Sequence, residues 1–439
     1  MKALYALTSI ALVSAASSTH SGAQQRPAIR QLGVTTARSV ESLGPVTAIR
    51  HLPQGRVLVN DVARRRVVVF DSMLANFTVI ADSTSATGSA YSGRLGGLIP
   101  YRGDSALFVD PTSLSMMVID PTGKLGRVMS VPRPQDAMML ATQLGTPGFD
   151  AAGRLIYRGS PGRVVMPSSA SGAPFVMPPR PDSAPIVRVD LATRKVDTLT
   201  FVRTPRVKVD VTQVDGQMSI TTQVNPLPVV DEWAVLSDGS LAVVRGKDYH
   251  VDIFGADGKR VSAPKMAFEW QRLSDEDKVA FIDSVKAARE RMLAAGSQEL
   301  LVAGGGAVTT QSVPGGGGGP SVTYRIGPAG GGGAAPRPGT AVGAQNMTFV
   351  PPSDLPDYKP AFFTGSVRAD ADGNFWIRTI PTKAVSGGPV YDVVNNRGEL
   401  VDRVQVPAQR TIVGFGSGGH VYMTVRENNT TFLERARLR

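Results

Sequence analysis

One phrase repeats six times along this chain, and it constrains the fold more than any other feature. Each copy has a turn that usually contains glycine, a short β-rich run, a gap, and a second β-rich run that often ends in Asp or Asn. The first runs are residues 55–61, 105–110, 153–158, 239–245, 373–378 and 419–426. The second runs are residues 67–71, 116–120, 186–190, 250–254, 390–395 and 432–437. We therefore expect six structural repeats.

Further apolar runs flank each copy and bring the unit to four short strands. Residues 46–49 and 233–236 precede their copies, and residues 77–80 follow theirs. A single four-stranded sheet exposes two faces and two edges, whereas radial packing of several sheets buries the faces and shields the edges. The sequence thus predicts an all-β fold, a six-bladed β-propeller of four-stranded antiparallel blades.

The two ends of the repeat region predict how the ring closes. The sixth copy stops after its third strand, while a lone strand-like segment, residues 28–34, precedes the first copy. We expect this segment to supply the outer strand of the last blade. The alternative is a disordered leader.

Turns rich in Asp and Gly complete the pattern, for example Asp370-Ala371-Asp372-Gly373 and Ser237-Asp238-Gly239. With them, the repeat resembles the six-bladed propellers of the NHL and TolB-like type over most of residues 28–439. That group includes exported bacterial proteins of uncharacterised role. The resemblance implies a fold, and only loosely a function.

The N-terminus has the features of a secretory signal. Lys2 precedes an apolar run over residues 3–13, and small polar residues follow as far as Ala23. A run of this length cannot cross a ~30 Å hydrocarbon core as a helix. The chain has no cysteine, which excludes disulfides and an acylated cysteine anchor. We expect a signal peptide at residues 1–23 and one periplasmic or extracellular propeller domain at 24–439, monomeric, with no lipid anchor or membrane span.

Two insertions interrupt the repeats. Residues 202–231 contain two alternating runs around Asp215-Gly216 and predict an inserted hairpin. Residues 266–360, between blades 4 and 5, begin with a helix expected at 274–295, with Ser274 as N-cap and Asp277 as its capping-box partner. Residues 304–345 are rich in glycine and are expected to be disordered.

Charge and motifs exclude several functional classes. The net charge of +11 is spread along the chain, and its densest cluster is only Arg64-Arg65-Arg66, so we predict no nucleic-acid partner. Residues 414–419 match GxGxxG by spacing, but a strand-like run follows where the dinucleotide fingerprint needs a helix. The sequence has no HExxH, GxSxG or P-loop motif, and we predict no cofactor.

The ends of the six second strands carry the candidate site. They hold Asn60-Asp61, Asp110, Arg158, Arg245, Arg378 and Arg426. These strands run in the same direction in every blade, so their ends share one rim. Arginine suits carboxylate or phosphate because its planar fork donates two parallel hydrogen bonds. We predict a ligand site formed by Arg158, Arg245, Arg378, Arg426, Asp248 and Tyr249. The alternative is that the arginines brace loops by pairing with Asp61, Asp110 or Asp248.

Three functions remain open from the sequence. The leading hypothesis is an exported binding or interaction protein, more plausibly not an enzyme, for an anionic small molecule or a protein partner. The second is a metal-dependent, lactonase-like hydrolase, for which Asn60, Asp61 and Asp110 are the only metal-ligand candidates. The third is a structural component of an envelope assembly that docks through the inserted hairpin or the helix.

Overall fold

The computed structural model describes residues 26–46, 48–62, 64–83, 91, 96–142, 144–161, 181–214, 217–294, 299–302, 306–309, 345–382, 387–427 and 430–438. The signal peptide expected at residues 1–23 lies outside the described residues. Within them, six antiparallel sheets of consecutive strands dominate the chain. The all-β class predicted from the repeat is confirmed.

The first three sheets follow one another along the chain. Sheet 1 consists of Ile49–His51, Val57–Asp61, Arg66–Phe70 and Phe77–Asp82. Sheet 2 consists of Gly97–Pro100, Ala106–Asp110, Ser115–Ile119 and Leu125–Ser130. Sheet 3 consists of Gly148–Phe149, Leu155–Arg158, Ser183–Val189 and Val196–Arg203.

The other three sheets repeat this order, and two of them gain a strand from the N-terminal segment. Sheet 4 consists of Glu232–Val235, Leu241–Arg245, His250–Phe254 and Arg260–Ser262. Sheet 5 consists of Phe362–Ala369, Phe375–Thr379, Val390–Val394 and Leu400–Gln405, with Ile29–Gln31 added at its edge. Sheet 6 consists of Arg410–Gly416, His420–Glu427 and Thr430–Arg437, with Thr35–Arg38 added at its edge.

The first strands of the sheets are arranged around a common centre. Each contacts the first strand of the next sheet, from sheet 1 through sheet 6 and back to sheet 1. The arrangement is therefore β-propeller-like, with later strands of each sheet lying progressively further out.

The core lies between neighbouring sheets. Val59 and Phe70 of sheet 1 pack with Val413 and Leu433 of sheet 6, for example. The second strand of sheet 1, Val57–Asp61, is buried at every position because neighbouring sheets cover both of its faces. Such strands appear as continuous rather than alternating apolar runs.

The N-terminal segment closes the sixth sheet, although not with the residues expected. Thr35–Arg38 pairs antiparallel with Thr430–Arg437 and is the outer strand of sheet 6. Residues 28–34, which were expected there, instead place Ile29–Gln31 parallel to Leu400–Gln405 of sheet 5. Closure by an N-terminal strand is thus observed, one strand further along the chain.

The inserted segments form smaller elements beside the sheets. Val207–Val214 and Gln217–Val224 form an antiparallel hairpin, to which Gln345–Phe349 adds in parallel. Glu299–Val302 pairs with Gly306–Thr309, so four residues near the start of the stretch 304–345, which was expected to be disordered, form a strand. Most of 304–345 lies outside the described residues.

The helices are few. A long helix, Asp275–Ala294, begins with a reciprocal cap: the Asp277 backbone N–H donates to Ser274 Oγ (3.1 Å), and the Ser274 N–H donates to Asp277 Oδ2 (3.0 Å). Its Ile282 packs in a cluster with Leu227 and Ile380. The remaining helical elements are Ala137–Thr142 and the 3-10 turns Pro53–Gly55, Pro134–Asp136 and Pro352–Asp354. No helix in the described ranges combines the length and hydrophobicity needed to span a bilayer.

Candidate functional site

The predicted arginines occupy corresponding places in their sheets. Arg158, Arg245 and Arg378 lie at or next to the last residue of the second strand in sheets 3, 4 and 5. The first strand of each sheet runs antiparallel to the second and begins at the same edge, so Glu232 lies opposite Val244. Residues at the start of the first strands therefore share this edge, close to the common centre.

Arg158 is one of two enclosed guanidinium groups whose positive charges act on Glu232. Its Nη2 contacts Met139 Sδ at 3.5 Å, and its Nε is buried without a hydrogen-bond partner in the described part of the chain. Burial lowers its pKa, an effect that the negative charge of Glu232 opposes. Arg158 forms no ion pair within 4 Å among the described residues.

Glu232 is the carboxyl group whose negative charge acts on both enclosed arginines. It begins the first strand of sheet 4 and is only 3% exposed. Its Oε1 accepts a hydrogen bond from the backbone N–H of Gly365 at 2.9 Å, and its Oε2 has no partner within the described part of the chain. Burial raises the pKa of Glu232 to about 7, opposed by the Gly365 hydrogen bond and then by Arg368 and Arg158.

Arg368, on the first strand of sheet 5, is the second enclosed guanidinium. Its Nη1 donates to the carbonyl oxygens of Gly365 (3.1 Å) and Val367 (2.8 Å). Burial lowers its pKa, which the Glu232 charge opposes. The side chain keeps some accessible surface although protein atoms surround it closely. Arg158, Glu232 and Arg368 are called the central cluster below.

Gly365 connects two members of the central cluster through its backbone. Its N–H points to Glu232 and its carbonyl to Arg368, a geometry reached at φ +77°, where residues with a Cβ are strained. The hydroxyls of its neighbours Thr364 and Ser366 are buried without hydrogen-bond partners in the described structure. These two hydroxyls and Glu232 Oε2 therefore remain unpaired around this segment in the described structure.

Arg245 has a structural role instead. Its Nε donates to Asp252 Oδ2 (2.8 Å) and its Nη1 to Asp231 Oδ2 (3.0 Å) and to the Phe201 carbonyl (2.8 Å). Its Nη2 donates to Thr200 Oγ1 at 3.2 Å. Arg245 thus braces sheet 4 against sheet 3, as the alternative interpretation supposed, but with acids other than the three named for it.

The other two predicted arginines differ from each other. Arg378 is half-buried opposite Tyr391 and has no hydrogen-bond or ion-pair partner among the described residues. Its positive charge opposes the rise in the pKa of Tyr391 that burial causes. Arg426 is exposed and lies opposite Thr431 in sheet 6.

Asp248 and Tyr249 are both committed to protein contacts. Asp248 pairs with His250 Nδ1 (2.6 Å) and Lys265 Nζ (3.3 Å). Partial burial acts to raise the pKa of Asp248, but the hydrogen bond and charge of His250 bring it below its ordinary value. Tyr249 is fully buried, and its hydroxyl donates to Asp392 Oδ2 at 2.8 Å. It is a core residue between sheets 4 and 5 and is not exposed at the rim.

The three metal-ligand candidates are buried and engaged separately. Asn60 Nδ2 donates to the Gly96 carbonyl (2.6 Å), while its Oδ1 has no partner within the residues that the structure describes. Asp61 accepts from the Gly44 N–H (2.8 Å) and from Arg66 Nε (3.0 Å). Asp110 accepts from the Thr112 N–H (3.0 Å) and Ser113 Oγ (2.8 Å). Across the described ranges, no three His, Cys, Asp or Glu side chains are grouped so as to hold a metal ion.

Two histidines that are far apart in the sequence lie close together near the edge of the sheets where the second strands begin. His51 ends the first strand of sheet 1 and His420 begins the second strand of sheet 6, with ring centroids 6.3 Å apart. Tyr422 lies 6.2 Å from His51. Burial lowers the pKa of both histidines, and nearby arginines lower it further.

The structure is similar to solved β-propeller-like proteins. A member of the DUF4221 family from Bacteroides vulgatus shares 8% identity, covering 95% of this chain and 97% of that one, with a TM-score of 0.42. A gluconolactonase from Xanthomonas campestris shares 10%, covering 94% and 99%, with a TM-score of 0.35. A streptogramin B lyase shares 9%, covering 92% and 87%, with a TM-score of 0.36. No protein-family profile and no curated protein matches the sequence.

Proposed function

We propose that this chain is an exported, six-bladed β-propeller that binds a small anionic ligand at the centre of the ring, on the edge where the second strands end. The six sheets and the cyclic contacts between their first strands support the blade number. The sequence at residues 1–23 supports export to the periplasm or the cell exterior.

The observation that carries the ligand proposal is the charge imbalance in the central cluster. Two enclosed guanidinium groups, Arg158 and Arg368, share the field of one carboxyl group, Glu232, and neither forms an ion pair within 4 Å among the described residues. An enclosed charge without a counterion costs several kcal/mol, on the order of the penalty for breaking a buried ion pair. A bound anion would supply a counter-charge and offset part of that cost. Structural arginines of the same protein, such as Arg245, are fully paired by comparison.

The surrounding groups indicate what else the ligand carries. Guanidinium groups bind carboxylate or phosphate oxygens in bidentate fashion. Thr364 and Ser366 offer hydroxyls that both donate and accept. A small oxyacid with one or more hydroxyl groups would satisfy both sets.

Of the six residues predicted for this site, Arg158 is retained in the proposal and Arg378 lies in the same sheet as Arg368, on the neighbouring strand. Glu232 and Arg368 are added from the structure. Arg245, Asp248 and Tyr249 are assigned to the scaffold because their polar groups are already paired.

The test is a thermal-shift and calorimetric screen with sulfate, phosphate, acetate, lactate and gluconate. We expect at least one of these anions to raise the melting temperature. The substitutions Arg158→Gln and Arg368→Gln should each weaken its binding by about tenfold or more. Arg206→Gln is the matched control, because Arg206 is an exposed arginine paired only with Asp182 in the described structure. If no anion shifts the melt, or if the control weakens binding as much as the two site variants, the proposal is wrong.

A further inference from the structure

We propose that the anion binds to the central cluster together with one proton, which resides on Glu232 Oε2, so that Glu232 in its acid form donates a hydrogen bond to the ligand. This inference rests on the proposed anion site and goes on to specify how that site discriminates and how it responds to pH. Glu232 then acts as a donor rather than as a counter-charge.

The geometry leaves one atom for this role. Glu232 Oε1 is occupied by the Gly365 N–H, whereas Oε2 is buried without a partner in the described structure. A carboxylic acid has a single O–H to donate. The free oxygen is therefore the one where the proton can both reside and reach a ligand.

The positions of the arginines bring a bound anion close to that oxygen. Arg368 is joined to Glu232 through the backbone of Gly365, and the Arg158 charge acts on the same carboxyl group. An anion that contacts these guanidinium groups is then a neighbour of Glu232. Glu232 and a bound anion carry like charges, and a like charge at short range in a buried site raises the pKa of a carboxyl group.

The charges facing Glu232 come from three sheets. Arg158 approaches from sheet 3 and Arg368 from sheet 5. Asp231 precedes Glu232 in the chain and is itself paired with Arg245, which reduces its repulsion. Tyr391 lies beyond Arg368 and acts on it rather than on Glu232 directly. Without ligand, burial already raises the pKa of Glu232 to about 7. A second negative charge can only raise the pKa further, so ligand binding takes up a proton above neutral pH.

The consequence is an affinity that falls with rising pH. If the bound state holds the proton, affinity is constant below the pKa of the unliganded site and falls about tenfold for each pH unit above it. Glu232→Gln keeps the size of the side chain and a permanent N–H donor but cannot ionise. It should bind the anion with little change between about pH 5.5 and about pH 8.5.

The experiment uses sulfate and lactate, whose own charges are constant over about pH 5.5 to about pH 8.5. Calorimetry near pH 8 in two buffers of different ionisation enthalpy should show uptake of about one proton by the wild type and none by Glu232→Gln. Glu399→Gln, which alters a glutamate paired with Arg397 at the surface, is the control and should behave like the wild type.

The outcomes separate the two proposals. If sulfate or lactate binds with the same affinity at every pH, or if Glu232→Gln folds normally but binds more weakly throughout, the proton proposal is overturned while the anion site remains. If neither probe nor any other anion of the screen binds the wild type or Glu232→Gln, the anion site itself is wrong.

Discussion

Tyr249 donates a hydrogen bond from its hydroxyl to Asp392 Oδ2, joining sheet 4 to sheet 5 over 2.8 Å in a region where both residues are fully buried. Arg403 Nε donates to the other oxygen, Asp392 Oδ1, at 3.1 Å. Burial raises the pKa of Asp392, and these two donors oppose the rise. The pair shows how a residue expected at an exposed rim can instead hold neighbouring sheets together.

Tyr249→Phe should therefore destabilise the protein without altering ligand binding. The substitution removes a donor from a buried carboxylate, which costs about 1–3 kcal/mol. Urea unfolding would measure the loss, with Tyr358→Phe as control because the Tyr358 side chain is half exposed. Equal unfolding midpoints for the two variants would contradict the structural role assigned to Tyr249.

The repeat could be recognised from sequence because its signals are local. Turn glycines and short apolar runs reflect backbone conformation and burial within one sheet, and these recur in every copy. The closing strand was placed too early for a related reason. Thr35–Arg38 is an outer strand whose side chains are mostly exposed, so its sequence lacks the apolar run that drew attention to residues 28–34.

The candidate site was harder to predict from the sequence, because which arginine forms an ion pair depends on residues that are distant in the sequence. Arg158 and Arg245 have the same position at the end of a second strand, yet Asp231 and Asp252 neutralise only Arg245. Glu232 and Arg368 were not predicted because they lie on first strands, whereas the predicted site was taken from the ends of the second strands. A signal existed: each is a charged residue within a first strand that is otherwise largely apolar or small.

Removal of Thr35–Arg38, the outer strand of sheet 6, should destabilise the protein. Thr35–Arg38 covers the edge of Thr430–Arg437, and Arg38 pairs with Glu427 at 2.6 Å. An uncovered strand edge exposes a row of unpaired backbone groups. We expect a chain that begins at Val40 to melt at least about 5 °C below one that begins at Gly33. Equal melting temperatures by circular dichroism would show that Thr35–Arg38 does not stabilise the ring.

Two glycines with similar backbone angles should respond differently to alanine. Gly239 (φ +83°) lies so close to sheet 3 that a Cβ would be 2.5 Å from the Ala151 nitrogen, whereas Gly418 (φ +70°) has no atom within 4 Å of its Cβ position. The left-handed conformation costs roughly 1–2 kcal/mol in both variants. Gly239→Ala should lose about 1–3 kcal/mol more, because the clash is with backbone. Chemical denaturation of both variants gives the comparison; a similar loss in each would argue against close approach of sheets 3 and 4.

The pH dependence of stability should carry a contribution from Glu232. Its pKa in the folded protein is raised to about 7 from 4.5, so between these values the folded state binds more protons than the unfolded state. The contribution of this group to stability is thus complete below the lower value and is lost as pH rises through the higher one. The loss is up to about 3 kcal/mol.

Glu232→Gln should lack this loss. Unfolding free energies of the variant and the wild type, measured from about pH 4.5 to about pH 8, should diverge in favour of the variant as pH rises. Parallel curves would mean that Glu232 is not held in the buried environment described here.

The pairing of Thr35 with Ala436 has a further consequence for biosynthesis. These two residues lie far apart in the sequence, so the outer strand of sheet 6 cannot pair until its partner strand, which follows all the other sheets, has been synthesised. The earlier sheets can form one after another, but sheet 6 is completed last.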